Sequence, residues 1–145
     1  MKTIIIFSLF ISIKLCNPAF HQSYALKTNQ SVSEDFFQFL EMFSLNEKFQ
    51  LSRISFPILF VKWNDSFSKL DTTYIQSKDW KFRNFYFSRD KDSYGQVYDN
   101  FDHQLRDTDE RVFAWHGIGN GIKKFLYFKR INGLWYLIKE EDLST

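Results

Sequence analysis

One dipeptide, used twice near the end of the chain, constrains the fold more than any other feature. Asn120-Gly121 and Asn132-Gly133 each stand between runs in which apolar and polar residues alternate. Asn-Gly is the strongest short-range hairpin signal, because a two-residue type I′ turn needs positive φ at both central positions. Two such reversals predict a three-stranded antiparallel meander over residues 111–119, 122–131 and 134–139. Counting outward from two-residue loops sets Trp115 opposite Leu126, Phe113 opposite Phe128, and Phe128 opposite Leu137. Trp135 shares that face. The other face carries Ala114, His116, Phe125, Tyr127, Tyr136 and Ile138 and is more mixed.

The aromatic face of the meander needs a cover, and the N-terminal half supplies one. Phe36, Phe37, Leu40 and Phe43 recur at helical spacing. Ser33 can cap that helix, with Glu34 and Asp35 in its first turn, which predicts a helix over residues 34–43. A second helical turn follows over 46–49. Residues 54–61 alternate as a strand in which Pro57 cannot donate a ladder hydrogen bond, so it marks an edge or a bulge. Asn64-Asp65-Ser66 is a turn. Further on come a short strand over 72–75, a helical turn over 77–80 and a strand over 82–87. A turn over 90–95, an extended piece over 96–98 and a polar loop over 99–110 complete the middle. The expected fold is α+β, an N-terminal helix packed on a curved antiparallel sheet that ends in the meander. With 18 Phe and 7 Tyr, a few large rings can close so small a core.

The start of the chain reads as an address. Lys2 precedes an apolar run from Thr3 to Ile13, of signal-peptide length and too short to span a bilayer. Ser23-Tyr24-Ala25 offers small residues for a signal peptidase, and Leu15-Cys16 offers the alternative of a lipoprotein junction with Cys16 lipidated. The organisation expected is a signal peptide over 1–25, or a lipoprotein leader ending before Cys16, then a polar spacer over 26–33 and a single domain over 34–143. The protein is then exported: periplasmic, secreted or lipid-anchored to the cell envelope, meeting the membrane only through the leader or that anchor. Cys16 is the sole cysteine, so the domain has neither a disulfide nor a thiol nucleophile. Of 19 Lys and Arg, Lys2 and Lys14 belong to the leader. That leaves 17 against 17 Asp and Glu, a balance lacking the basic footprint of a nucleic-acid binder.

Several residues together carry a resemblance. Glu34-Asp35-Phe36-Phe37-Gln38-Phe39-Leu40 leads to Phe49-Gln50-Leu51-Ser52-Arg53-Ile54-Ser55-Phe56-Pro57-Ile58. Trp80 follows, and the chain closes with Phe128-Lys129-Arg130-Ile131-Asn132-Gly133-Leu134-Trp135-Tyr136-Leu137. Across residues 34–142 this resembles exported Bacteroidetes proteins of domain of unknown function family 4348. Its ending is similar to that of nuclear transport factor 2-like, cystatin-like domains. The resemblance implies a cone-shaped fold, a curved sheet enclosing helices, with a pocket at its mouth. It implies no activity, and that superfold hosts enzymes and binding modules alike.

No motif specifies a chemistry. Residues 117–121 are rich in glycine, but an alternating strand follows them where a phosphate loop needs a helix, so they read as a hairpin turn. Asp90, Asp92 and Gly95 match three positions of a calcium loop. Phe101 falls where its bidentate Glu belongs, which leaves a surface turn. Asp99, Asp102, Asp107, Asp109 and Glu110 are interrupted by His103, Arg106 and Arg111 and read as a solvated loop. No cofactor or metal is called for. Arg53, a charge inside an apolar segment, needs a structural ion pair or hydrogen-bonded partner, with anion binding as the alternative. The pocket candidates are His116, Tyr127, Tyr136 and Arg53. The reading favoured is a non-catalytic domain that binds a small ligand or a protein partner at the concave face or mouth. One alternative is an enzyme using His116 or Asp99 as general base, which requires an inward-pointing His or acid in an open pocket. Another is a structural subunit of a surface assembly, with an exposed apolar patch on the outer sheet.

Overall fold

The computed structural model describes residues 33–84 and 92–145. The leader, Cys16, nearly all of the spacer, Asp90 and residues 85–87 of the expected strand lie outside the described residues. Helices α1 (Phe36–Leu45) and α2 (Glu47–Ser52) precede strands β1 (Ile54–Trp63) and β2 (Leu70–Ile75). A 3-10 turn at Ser77–Asp79 follows. Strands β3 (Ser93–Tyr98), β4 (Glu110–Gly117), β5 (Lys123–Ile131) and β6 (Leu134–Asp142) complete one six-stranded sheet, ordered β2-β1-β6-β5-β4-β3. No helix among the described residues is long and apolar enough to cross a membrane.

The helix begins two residues later than expected because Asp35, not Ser33, caps it: Gln38 N donates to Asp35 Oδ1 at 2.9 Å. Asn46 ends α1 and caps α2, accepting from Phe49 N. The face of α1 bearing Phe36, Phe39 and Phe43 is buried on Phe113, Leu126, Phe128, Trp135 and Leu137, so the aromatic face of the meander covers the helix as its alternation required. Phe128 meets the α1 rings edge-on at centroid distances of 5.4–5.5 Å, the arrangement ring quadrupoles favour.

The two Asn-Gly reversals differ. Asn132 (φ 52°) and Gly133 (φ 83°) both lie in the left-handed region, and Phe128 stands opposite Leu137 as counted. At the first reversal Gly119 and Gly121 take positive φ while Asn120 does not. The Asn120 side chain instead donates to Asp92 O and accepts from Ile122 N, opening the loop to four residues between Gly117 and Ile122. Phe113 therefore faces Leu126, and Trp115 faces Lys124, two places from the simple count. A slip of two preserves the face of every side chain, whereas a slip of one would invert it.

The sheet is mixed, not purely antiparallel: β1 lies parallel to β6, inside β2. Pro57, which joins Phe56 through a cis peptide, falls in a register shift between Ile54 and Leu59, so the bulge is the correct half of the expectation for it. Residues 81–84 are not strand, and Ser93–Tyr98 is strand where a turn was expected as far as residue 95. A second bulge, between Tyr127 and Phe128 on the β5–β6 ladder, resets the alternation of β6 and turns Glu140 inward.

Candidate functional site

Three places deserve weighing: the interior between helix and sheet, the mouth beside the start of α1, and the outer sheet face.

Among the described residues the space between helix and sheet is packed with aromatic side chains. Beside them lies a void of about 10 Å³, lined by Phe113, Trp115, Lys124, Leu126 and Glu140. Glu140 is 1% exposed, and its Oε1 is ion-paired with Arg83 while Oε2 has no hydrogen-bond partner among the described residues. Burial pulls the Arg83 guanidinium below its ordinary value, opposed by the charge of Asp142. Arg83 is also positioned by Gln50, a fully buried amide with every valence used. Gln50 Nε2 donates to Phe43 O and Arg83 O, and Oε1 accepts from Trp80 Nε1 and Arg83 N.

At the mouth, a cleft of about 390 Å³ is bordered by Glu34, Asp35, Phe37, Asp99, Asp107, Arg111 and Arg130. Its cations are engaged except at one atom, the buried Nε of Arg130, which has no hydrogen-bond partner among the described residues. Arg111 Nη1 donates to three carbonyls, those of Asp99, Thr108 and Glu110, and Nη2 pairs with Asp107. Arg130 donates to Asp109 at 3.0 Å, and its guanidinium lies 4.4 Å from the Trp135 ring. Buried Asn100 organises the loop that borders the cleft. Its amide donates to Gln104 O and Arg106 O, and its carbonyl accepts from Asp102 N and Gln104 N. This polar stretch is thus a built loop with a solvated exterior.

The outer sheet face holds a small second core of Val112, Ala114 and Phe125 under Phe101, Tyr98, Tyr127 and Leu143. His103 folds back to stack on Tyr98 at 4.0 Å. At the end of this face a cleft of about 440 Å³ is lined by Trp63, Tyr94, His116, Lys123, Leu143 and neighbouring backbone. The ladders align these side chains in one row across the sheet. Tyr94 is opposite His116, His116 opposite Lys123, Leu143 N bonds to Lys123 O, and Trp63 follows the Lys62–Asp142 pair. His116 lies 5.2 Å from the Tyr94 ring and meets Phe125 edge-on at 5.7 Å.

The four sequence-predicted residues do not converge. His116 lies in the outer cleft. Tyr127, two rows away on the same face, donates to Glu141 at 2.8 Å; burial, with Glu141 beside it, pushes its hydroxyl above the ordinary phenol range. Arg53 forms a bidentate pair with Glu34 at 2.9 and 3.0 Å and donates to Trp135 O. Tyr136 packs under that guanidinium at 5.6 Å. Asp99 borders the mouth cleft and His103 does not join it, so no Asp-His pair forms there. Sequence reasoning missed Trp63, which nothing but its place at the end of an alternating run marks, and Asn100 and Glu140. Among the described residues no three His, Cys, Asp or Glu side chains gather as a metal site would need.

Comparison with curated proteins gives no match. Among solved structures, an NTF2-like protein from Bacteroides fragilis is similar over 78% of this chain, with 24% identity and a TM-score of 0.59. The match covers 48% of that protein, so this chain spans about half its length. A cystatin-like protein from Bacteroides caccae (18% identity, TM-score 0.52) matches over 75% of this chain and 76% of its own. A Bacteroides uniformis protein (17% identity, TM-score 0.50) matches over 74% and 76%. At such identities the likeness shows the fold, a nuclear transport factor 2-like, cystatin-like α+β domain. The sequence profile described as "Domain of unknown function (DUF4348)" matches residues 22–142. With that profile spanning most of its length, and the fold agreeing, the chain belongs to the DUF4348 family.

Proposed function

We propose that this domain is a non-catalytic binding module of the cell envelope whose ligand seats in the outer-face cleft around His116. One observation carries the reading: the cleft holds polar groups that touch aromatic rings of the protein but make no side-chain hydrogen bond to the described residues. Among the described residues, no hydrogen bond or ion pair occupies the side chains of Tyr94, His116 or Lys123 or the indole N–H of Trp63, while Tyr94 is half exposed. Free donors beside aromatic walls in a concavity of a few hundred Å³ are the usual make-up of a binding site. The mouth cleft offers less, because its arginines already bind carbonyls and carboxylates of the same chain and leave only the buried Arg130 Nε unpaired. Catalysis from the interior is disfavoured because, among the described residues, the void beside Glu140 is about 10 Å³ and admits no substrate. A base at His116 lacks an orienting carboxylate among the described residues. Export rests on the Lys2 and apolar leader, and the mass of the mature N-terminus tests it. A fragment library screened by protein-observed NMR tests the binding reading. Hits that move Tyr94, His116 and the Trp63 indole support it. Hits confined to the interior beside Leu126 and Glu140 refute it.

A further inference from the structure

The edge of the sheet at β2 is open. Asn64 N donates to Lys69 O at 3.0 Å, so these two residues form a hydrogen-bonded pair beside the turn. Such pairs alternate along an antiparallel ladder, which makes Lys62–Asp71, Phe60–Thr73 and Ile58–Ile75 the others. The N–H and C=O groups of Leu70, Thr72 and Tyr74 therefore point away from β1. Among the described residues no hydrogen bond reaches them from that side. Little blunts this edge. Residues 70–75 contain no Pro, Lys or Arg, no bulge interrupts the β1–β2 register, and all but Ile75 are exposed. The single charge is Asp71, which pairs with Lys69 at 3.5 Å. Ile75 stands opposite Ile58 of the core, so Asp71, Thr73 and Ile75 share the helix side of the sheet. Leu70, Thr72 and Tyr74 lie on the outer face, across from Trp63, Val61 and Leu59. Leu70 is 48% exposed and Tyr74 63%.

We infer that β2 pairs with β2 of a second copy, antiparallel about a two-fold axis through Thr72, joining two six-stranded sheets into one. The free backbone groups belong to even-numbered residues, so only registers that set even opposite even make hydrogen bonds. Centring on Asp71 would bring two carboxylates face to face, which is destabilising. Centring on Thr73 sets Leu70 opposite polar Gln76. Centring on Thr72 sets Leu70 of each copy opposite Tyr74 of the other, and three residue pairs exchange hydrogen bonds. Across the seam the outer face then reads Trp63, Leu70, Tyr74, Leu59 in one row and Val61, Thr72, Thr72, Val61 in the next. The first row returns reversed as the third. On the helix side Asp71 meets Thr73, and no like charges are directly opposed. A second copy is favoured over a foreign strand because the two exposed apolar side chains of this edge cover each other. This pairing closes as a dimer, whereas β2 on β3 of another copy would repeat without end. The seam is one strand deep and small beside the ~1,600 Å² of a standard interface, so the dimer depends on concentration. It stands whether or not the cleft at His116 takes a ligand.

The test is oxidative cross-linking of the full chain in a Cys16→Ser background, which removes the sole native cysteine. At the axis the two Thr72 Cα atoms are about 5.5 Å apart, within the span of a disulfide. Thr72→Cys is expected to give a disulfide-linked dimer at least tenfold faster than Thr73→Cys or Asp71→Cys, which are equally exposed but off the axis. Adding Tyr74→Lys to Thr72→Cys should slow the linking at least tenfold with an unchanged circular dichroism spectrum. Sedimentation equilibrium between about 10 µM and about 1 mM, the range of weak association, should show the wild-type chain passing from monomer to dimer and Tyr74→Lys lagging behind it. The inference is overturned if the three cysteines link at equal rates, as random collision would give, or if Thr73→Cys or Asp71→Cys links fastest. It is also overturned if Tyr74→Lys behaves like wild type, or if the wild-type chain stays monomeric or grows past the dimer.

Discussion

Replacing Arg53 should unfasten the point where the start of the domain is tied to its last strand. Glu34 and Arg53 are 18% and 14% exposed and joined by two hydrogen bonds. Glu34 Oε2 also accepts from Trp135 N, and the Glu34 carbonyl accepts from Trp135 Nε1. The Arg53 guanidinium rests over Phe49 at 4.9 Å and Tyr136 at 5.6 Å. Removing one member of a buried pair leaves the other charge desolvated and costs about 3–5 kcal/mol. Because this pair keeps some contact with water, Arg53→Met, which retains the apolar stem, is expected near the lower end, about 3 kcal/mol. At ~4 °C per kcal/mol for a domain of this size, the melting temperature falls by about 12 °C. Urea unfolding followed by tryptophan fluorescence of Arg53→Met, Glu34→Gln and the double variant gives the coupling energy. A coupling of about 2 kcal/mol is expected, the size seen for residues in one hydrogen-bonded network. A coupling below about 0.5 kcal/mol would place the pair with ordinary surface ion pairs and refute the reasoning.

Three further outcomes follow from the same structure. Gln50→Leu fits the space but orphans four polar groups, so a loss of about 3 kcal/mol or more in urea unfolding is expected; a neutral result would show that water replaces the amide. Asn100→Asp sets a carboxylate against the carbonyls of Gln104 and Arg106, and faster amide exchange at Asp102 and Gln104 should report the loosened loop. Burial tends to raise the Asp142 carboxyl, but Lys124 and Ser144 outweigh it and hold it below its ordinary value. Its contribution to stability is therefore present above the unfolded value of about 3.9 and lost as pH falls through the lower folded one. Lys124→Met leaves only Ser144 to oppose burial, so a carbon-detected NMR titration should show Asp142 protonating at higher pH than in the wild type, and an unchanged midpoint would contradict that assignment of causes.

The fold was legible where local chemistry decides it. Asn132-Gly133 needs only its own two residues to set the β5–β6 register. Asn120-Gly121 does not, because the side chain of Asn120 bonds to Asp92, 28 residues away, and changes the loop length. The parallel β1–β6 pairing joins segments about 80 residues apart and leaves no local mark. The β6 bulge likewise hides Glu140, which simple alternation assigns to the outer face. The residues that carried the family resemblance turn out to share one scaffold. Gln50 and Trp80 hold the segment at Arg83, while Arg53, Glu34 and Trp135 fasten the helix to β6. The likeness was therefore readable as fold and silent on function. The candidate cleft was half legible, since alternation placed His116 on the outer face, but Trp63 and Tyr94 reach it only through the order of strands in the sheet.

The central claim, that the interior formed by the described residues is closed and binding belongs to the outer face, is tested most directly by xenon. An empty apolar cavity takes up xenon, while a void of about 10 Å³ cannot. Methyl NMR under xenon pressure should leave Ile58, Leu126 and Leu137 unmoved. Saturable shifts at those methyls would reveal an open interior and return the search for the site to the concave side of the sheet.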